Sequence, residues 1–238
     1  MFYAIWGVKY GSVSPEAMEL MQLRQDAEDE LASGNYRIFV SARFFKAYSD
    51  GYQIHTDDFN LPMLRQEYGG AMSLCDYVNP ESSGMRSPFG IFTICVKPRN
   101  AAHEEGCCCP ACSNKYEDLV AKTVRMTLAE AASMWLDKRL AGFMEKECKD
   151  TPMRIIKPAA GYASCPDHSL KRDILRQLIG SYDLGIRLTE SCAMTPEASI
   201  CGMILFHPEA KYNEIRRISR KQFEDYASRR GMSAEEAE

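Results

Sequence analysis

Hydrophobic positions recur along this chain with two different periods. Leu20, Leu23, Ala27 and Leu31 fall at helical spacing, and Ser14-Pro15 ahead of them supplies an N-cap with proline at the first helical position. Gly34 ends that run. The stretch "NYRIFVSARFFKAYSDGYQIHTDD" reads as a hairpin whose turn signal is Asp50-Gly51, and "PFGIFTICV" is a continuous apolar run, hence a well-covered strand. A long helix is expected from about Asn114 to Cys148, with Leu119, Val120, Val124, Leu128, Ala131, Met134 and Trp135 tracing one face. Ser169 is placed to cap a helix running to about Tyr182, and "GIRLTESCAM" and "ICGMILFH" read as two strands. Ser219 and Gln222 have capping-box spacing ahead of "FEDYASRR", Gly231 terminates that helix, and Ser233 to Glu236 opens one more turn. Helices and strands mix without regular alternation. That pattern predicts an α+β fold with a mainly antiparallel sheet rather than a doubly wound or barrel fold. No internal repeat or low-complexity linker divides the chain, so residues 1–238 are expected to form a single domain.

Composition narrows the classes of function. The 238 residues are 45% hydrophobic and 26% charged, enough for a sizeable core. A net charge of −4 provides no basic field for nucleic acid. No apolar run approaches the roughly 18 residues of a membrane span. The N-terminal "MFYAIWGVKYG" has neither a basic n-region nor a small-residue cleavage site, so a cytoplasmic location is expected, with no membrane partner. Of the ten cysteines, Cys75, Cys95, Cys148, Cys165, Cys192 and Cys201 are scattered and read as small buried hydrophobes. The tract "GCCCPAC", with Cys107, Cys108, Cys109 and Cys112, reads as a surface loop of reactive thiols. The alternative is a zinc or iron–sulfur site, which three consecutive cysteines are poorly arranged to form.

The stretch "KPAAGYASCPDHSLK", Lys157 to Lys171, concentrates unusual residues ahead of a helix. Cys165 and His168 have the spacing of half a metal site, but no second pair lies at a persuasive distance. A nucleophilic Cys–His pair usually converges from separate parts of a fold. Neither a metal nor a catalytic residue is expected here. Gly161 permits close backbone approach, Pro158 and Pro166 stiffen the flanks, and Tyr162 offers a stacking face. Such a loop suits a flat heterocycle such as adenine.

"KPAAGYASCPDH" resembles the R-P-x-x-G-Y-P-x-C-P-D-H loop of the activation domain of cobalamin-dependent methionine synthase. The resemblance continues in order through "LTESCAM", "FHPEAKY" and "RKQFEDYASRRGMS", and is strongest over residues 157–233. Upstream, "KYEDLVAKTVRMTLAEAASMWL" is similar to the family's long helix, and "FYAIWG" and "QDAEDEL" to its N-terminal part. The resemblance implies an S-adenosylmethionine site. It also implies partners: a cobalamin-binding methionine synthase chain, whose cob(II)alamin is reductively methylated, and a flavodoxin-type electron donor. The domain positions the methyl donor while the cofactors carry the chemistry.

Carried over residue by residue, Lys157 falls where the family has an arginine that binds the ligand carboxylate, a change that loses the bidentate fork. Gly161 and Tyr162 fall on the family's Gly-Tyr, with Ala163 following in place of proline. Glu130 matches a helix glutamate near the sulfonium. Tyr212 matches the first of two adjacent tyrosines, and Asn213 replaces the second. Glu16 is the candidate for an acidic contact near the N-terminal helix. No D-x-H-x-x-G cobalamin-ligand motif occurs, so the sequence reads as an activation module on its own, acting as the reactivation part of a methyltransferase and not as a complete enzyme. Two alternatives are a docking-only module that has lost the ligand, given Lys157 and Asn213, and a reactivation subunit of another corrinoid methyltransferase.

Overall fold

The computed structural model of the chain describes residues 11, 14–66, 72–98, 115–147, 153–178 and 184–233. Helix α1 spans Pro15–Glu30 and ends in a π-helical turn, Leu31–Asn35, broken where Gly34 takes a φ of 82°. Strand β1, Tyr36–Ser49, turns through Asp50-Gly51 into β2, Gln53–His55, followed by β3, Asn60–Pro62. The turn is fixed by the Asp50 carboxylate, which accepts from the N–H groups of Tyr52 at 2.8 Å and Gln53 at 2.7 Å. Then come β4, Ser87–Pro98, helix α2, Lys115–Glu147, and β5, Arg154–Ile156. Helix α3, Leu170–Gln177, the short pair β6, Arg187–Leu188, and β7, Met194–Thr195, strand β8, Ser199–His207, and helix α4, Arg220–Arg230, complete the order.

The main sheet has six strands in the order β3-β2-β1-β4-β8-β5, all antiparallel. The expected α+β class with a mainly antiparallel sheet is what forms. Alternation along the two central strands divides the core in two. Phe89, Ile91 and Cys95 of β4 and Cys201, Met203 and Leu205 of β8 pack with Leu170, Ile174 and Leu175 of α3. Phe92, Ile94 and Val96, with Ile204 and Phe206, pack on the opposite face with Ala129, Ala132, Leu136, Leu140 and Met144 of α2. The "PFGIFTICV" run is covered on both sides, and its one polar side chain, Thr93, donates its hydroxyl to the Ile200 carbonyl at 3.2 Å.

Three local expectations are corrected. Helix α2 does not bury one stripe: Val120 and Val124 are buried, but Leu119, Met134 and Trp135 are exposed. The helix packs against α1 as well as the sheet, and its contacts with the sheet run through Ala129, Ala132, Leu136, Leu140 and Met144. "GIRLTESCAM" is not one strand. The Thr189 N–H donates to the Ala193 carbonyl at 2.9 Å and Cys192 takes a φ of 58°, which turns the segment into the β6–β7 hairpin. Ser169 does not cap α3, because its backbone is already helical and its hydroxyl accepts from Arg230 at 2.8 Å. Ser219 does cap α4, accepting from the Gln222 N–H at 3.2 Å, and Gly231 ends the helix at a φ of 66°. The reciprocal arm of the box is missing, since Gln222 Oε1 is buried without a partner. The "GCCCPAC" tract, Cys148, most of the N-terminal "MFYAIWGVKYG" and Glu236 lie outside the described residues.

Candidate functional site

The loop after β5 first runs along β8. The Met203 N–H donates to the Pro158 carbonyl at 3.0 Å, and the Ala160 N–H to the Cys201 carbonyl at 3.2 Å. A Cβ on Gly202 would lie 2.4 Å from the Pro158 oxygen, so only glycine lets the loop approach this closely. The chain then folds on itself, with the Gly161 N–H donating to the Cys165 carbonyl at 2.7 Å and the Cys165 N–H to the Tyr162 carbonyl at 2.8 Å. Gly161 takes a φ of 93°, and a Cβ there would lie 2.5 Å from the His168 ring. The space glycine leaves at 161 is therefore occupied by the His168 imidazole.

The C-terminal part of the loop is tied to α3 and α4. Asp167 accepts from the Ser169 N–H at 2.7 Å and from the Tyr226 hydroxyl at 2.6 Å, with Arg230 Nε 3.4 Å away. Arg230 also pairs with Asp173. Burial first, and then the Asp167 charge, push the Tyr226 phenol far above its ordinary range. Cys165 is buried here and burial pushes its thiol up to about 12, which disfavours the thiolate that a nucleophile needs. His168 Nδ1 lies 2.9 Å from the Lys171 ammonium, which also donates to the Cys192 carbonyl at 3.0 Å. The space beneath this part, lined by Met63, Leu74, Cys165 and Tyr226 among others, is a cavity of about 10 Å³, room for a single water. A ligand of nucleoside size does not fit in this cavity.

The N-terminal part of the loop faces α2 and solvent. Four of the seven candidate residues lie here: Lys157, Tyr162, Tyr212 and Glu130. The Lys157 N–H donates to the Tyr212 hydroxyl at 2.9 Å. Its ammonium, on a side chain only 3% exposed, lies 2.9 Å from Asp137 Oδ1 and donates to Ser133 Oγ at 2.8 Å and to the Ser133 carbonyl. It also sits 5.7 Å from the centroid of the Phe92 ring. The rings of Tyr162 and Tyr212 project outward, with the residues 58% and 61% exposed. Burial of part of each ring raises both phenols above their ordinary value, and the charges of Glu130 beside Tyr162 and Asp137 beside Tyr212 raise them further. Met134 is exposed on the same helix, between Glu130 and Asp137. The result is an open surface with two aromatic faces and two carboxylates, chemistry suited to a cation carrying a flat ring system.

The other candidates lie elsewhere. Asn213 is half-buried and donates to the Tyr77 hydroxyl at 2.6 Å. Gly161 serves the loop's own fold, as described above. Glu16 is exposed in the first turn of α1, its carboxyl held below the usual range by hydrogen bonds with its own backbone and the Ser14 hydroxyl. Sequence reasoning missed Ser133 and Asp137. The signal was present, because they stand three and seven residues after Glu130 and so share its helix face.

A family model described as the vitamin B12 dependent methionine synthase activation domain matches residues 4–231. The chain belongs to this family. A solved structure, the MetH reactivation domain bound to AdoHcy, is similar to it at 29% sequence identity and a TM-score of 0.80, covering 99% of this chain and 82% of that one. In this activation domain Lys157 is held among the internal contacts of the fold, and the ring faces of Tyr162 and Tyr212 are the parts of the motif left to solvent. Among the described residues no helix is long and apolar enough to cross a membrane, and no three His, Cys, Asp or Glu side chains are placed to hold a metal ion.

Proposed function

We propose that this activation domain, acting as one unit over residues 1–238, binds S-adenosylmethionine on the open surface formed by α2, the loop and Tyr212. There it would support reductive methylation of cob(II)alamin carried by a separate methionine synthase chain, in the cytoplasm, with electrons from a flavodoxin-type protein. The observation that carries this reading is the juxtaposition of Glu130, Tyr162 and Tyr212. Three chain segments far apart in sequence converge to expose two aromatic rings beside carboxylates. When bound, S-adenosylmethionine supplies an electrophilic methyl group, and the protein's residues supply position. Tyr162 offers a face for the adenine ring. Glu130, beside Tyr162, opposes the positive charge of the sulfonium. Tyr212 is held in place by the Lys157 N–H, so its ring enters the complex already oriented.

The test is reactivation in trans. A methionine synthase lacking its activation module is held as cob(II)alamin with a reducing system, and methylcobalamin is followed by absorbance. It forms only when this chain and S-adenosylmethionine are both present. A cognate partner that stays in the cob(II)alamin form with both present excludes the reactivation role. A docking-only role is the second reading, favoured by the engagement of Lys157 with Asp137 and of Asn213 with Tyr77. Calorimetry showing association with the partner but no heat with S-adenosylmethionine would select it.

A further inference from the structure

An ammonium has three N–H donors and no more. Those of Lys157 face three acceptors: the Ser133 carbonyl, Ser133 Oγ and Asp137 Oδ1. The side chain is 3% exposed and sits against the Phe92 ring. A ligand carboxylate therefore meets no free donor on Lys157, and reaching it would cost one of these contacts inside a buried site. Asp137 is the opposite case. Its side chain is 50% exposed, Lys157 engages only Oδ1, and the other oxygen has no partner among the described residues. The Asp137 carboxylate stands beside Tyr212, whose hydroxyl is fixed on the same lysine's backbone. The accessible charge at this end of the surface is negative.

We propose that Asp137 is a ligand-binding residue that receives the ammonium end of the bound nucleoside, and that Lys157 positions Asp137 and does not bind the ligand carboxylate. The inference rests on the reading of this surface as an S-adenosylmethionine site. Glu130 and Asp137 lie two helical turns apart, about 10 Å along the axis. One carboxylate thus faces the sulfonium beside Tyr162 and the other faces the far end of the amino-acid chain beside Tyr212. The site so built selects for an aminoalkyl sulfonium of adenosine and is indifferent to the carboxylate.

The test compares three ligands by calorimetry on the full chain: S-adenosylmethionine, its decarboxylated form with an aminopropyl chain, and methylthioadenosine, which has neither amine nor sulfonium. The first two are expected to bind within about threefold of each other. Asp137→Asn is expected to weaken both by roughly tenfold while leaving methylthioadenosine unchanged. Decarboxylation that costs tenfold or more overturns the proposal and returns the carboxylate to Lys157. Asp137→Asn that tightens S-adenosylmethionine does the same, because Asp137 would then be competing with the ligand for the ammonium. The wild-type comparison stands alone if the variant does not fold. Failure of all three ligands to bind the native chain instead removes the site reading itself, and this inference with it.

Discussion

Toward α4, the side chains around Asp167 engage one another: Asp167 with Tyr226 and Ser169, and Arg230 with Asp173. Toward α2, a few residues earlier, the same loop turns the ring of Tyr162 to solvent, while Tyr212, from the segment after β8, is likewise exposed and one oxygen of Asp137 is left open. Both ends carry tyrosine and carboxylate, so composition does not separate them. What differs is whether a second element covers them. Helix α4 closes one end, and nothing among the described residues closes the other. A motif recognised as a unit therefore does two kinds of work: the C-P-D-H portion fixes the loop, and the K-P-x-x-G-Y portion presents it.

The largest expected effect comes from removing the support common to both ends. Gly202→Ala drives a methyl group into the Pro158 carbonyl, and unfolding by denaturant should show a loss of about 3 kcal/mol with ligand binding abolished. Full stability in that variant would mean that the loop does not depend on its close approach to β8. Asp167→Ala strips the partner from the buried Tyr226 hydroxyl and one from Arg230, and should cost about 2 kcal/mol of stability. Ligand affinity, measured well below the melting temperature, should change little, and a large change would show that the two ends are not separable.

Tyr162→Ala inverts that pattern. Stability should move by less than about 0.5 kcal/mol because the ring is exposed, while S-adenosylmethionine binding should weaken by about 1–2 kcal/mol. Equal affinity in the variant and the wild type would remove Tyr162 from the site. The smallest effect is one of reactivity. Burial pushes the thiols of Cys165 and Cys201 up to about 12, and that of Cys75 to about 11, so a brief pulse of thiol reagent at pH 8 should leave all three unlabelled in the native protein. Rapid labelling of Cys165, found by peptide mapping, would show that the closed end opens readily.

Much of this was legible from local pattern. The doubly covered β4 and β8, the Asp50-Gly51 turn, and the Ser219 and Gly231 caps each follow from residues adjacent in sequence. The motif order pointed to the correct family and to three residues that meet on the open surface. What stayed hidden depends on long-range partners. Ser133 and Asp137 show their role only once Lys157, some twenty residues on, is seen to reach them. Ser169 looks like a cap until Arg230 takes its hydroxyl. The stripe on α2 misleads because the helix answers to two neighbours, α1 and the sheet, and a single period cannot express both.

The position of β8 between β4 and β5 has a consequence for the order of events during synthesis. Helix α2 and the loop are translated well before β8, the strand to which the loop is hydrogen-bonded, and Tyr212 follows later still. Until that strand inserts, the loop has no edge to lie on and Lys157 has no tyrosine to hold, so the surface cannot exist in part. The nonlocal pairing makes its assembly a late step. A small molecule that fits only the finished surface cannot guide the nascent chain, but it can hold the completed fold by mass action.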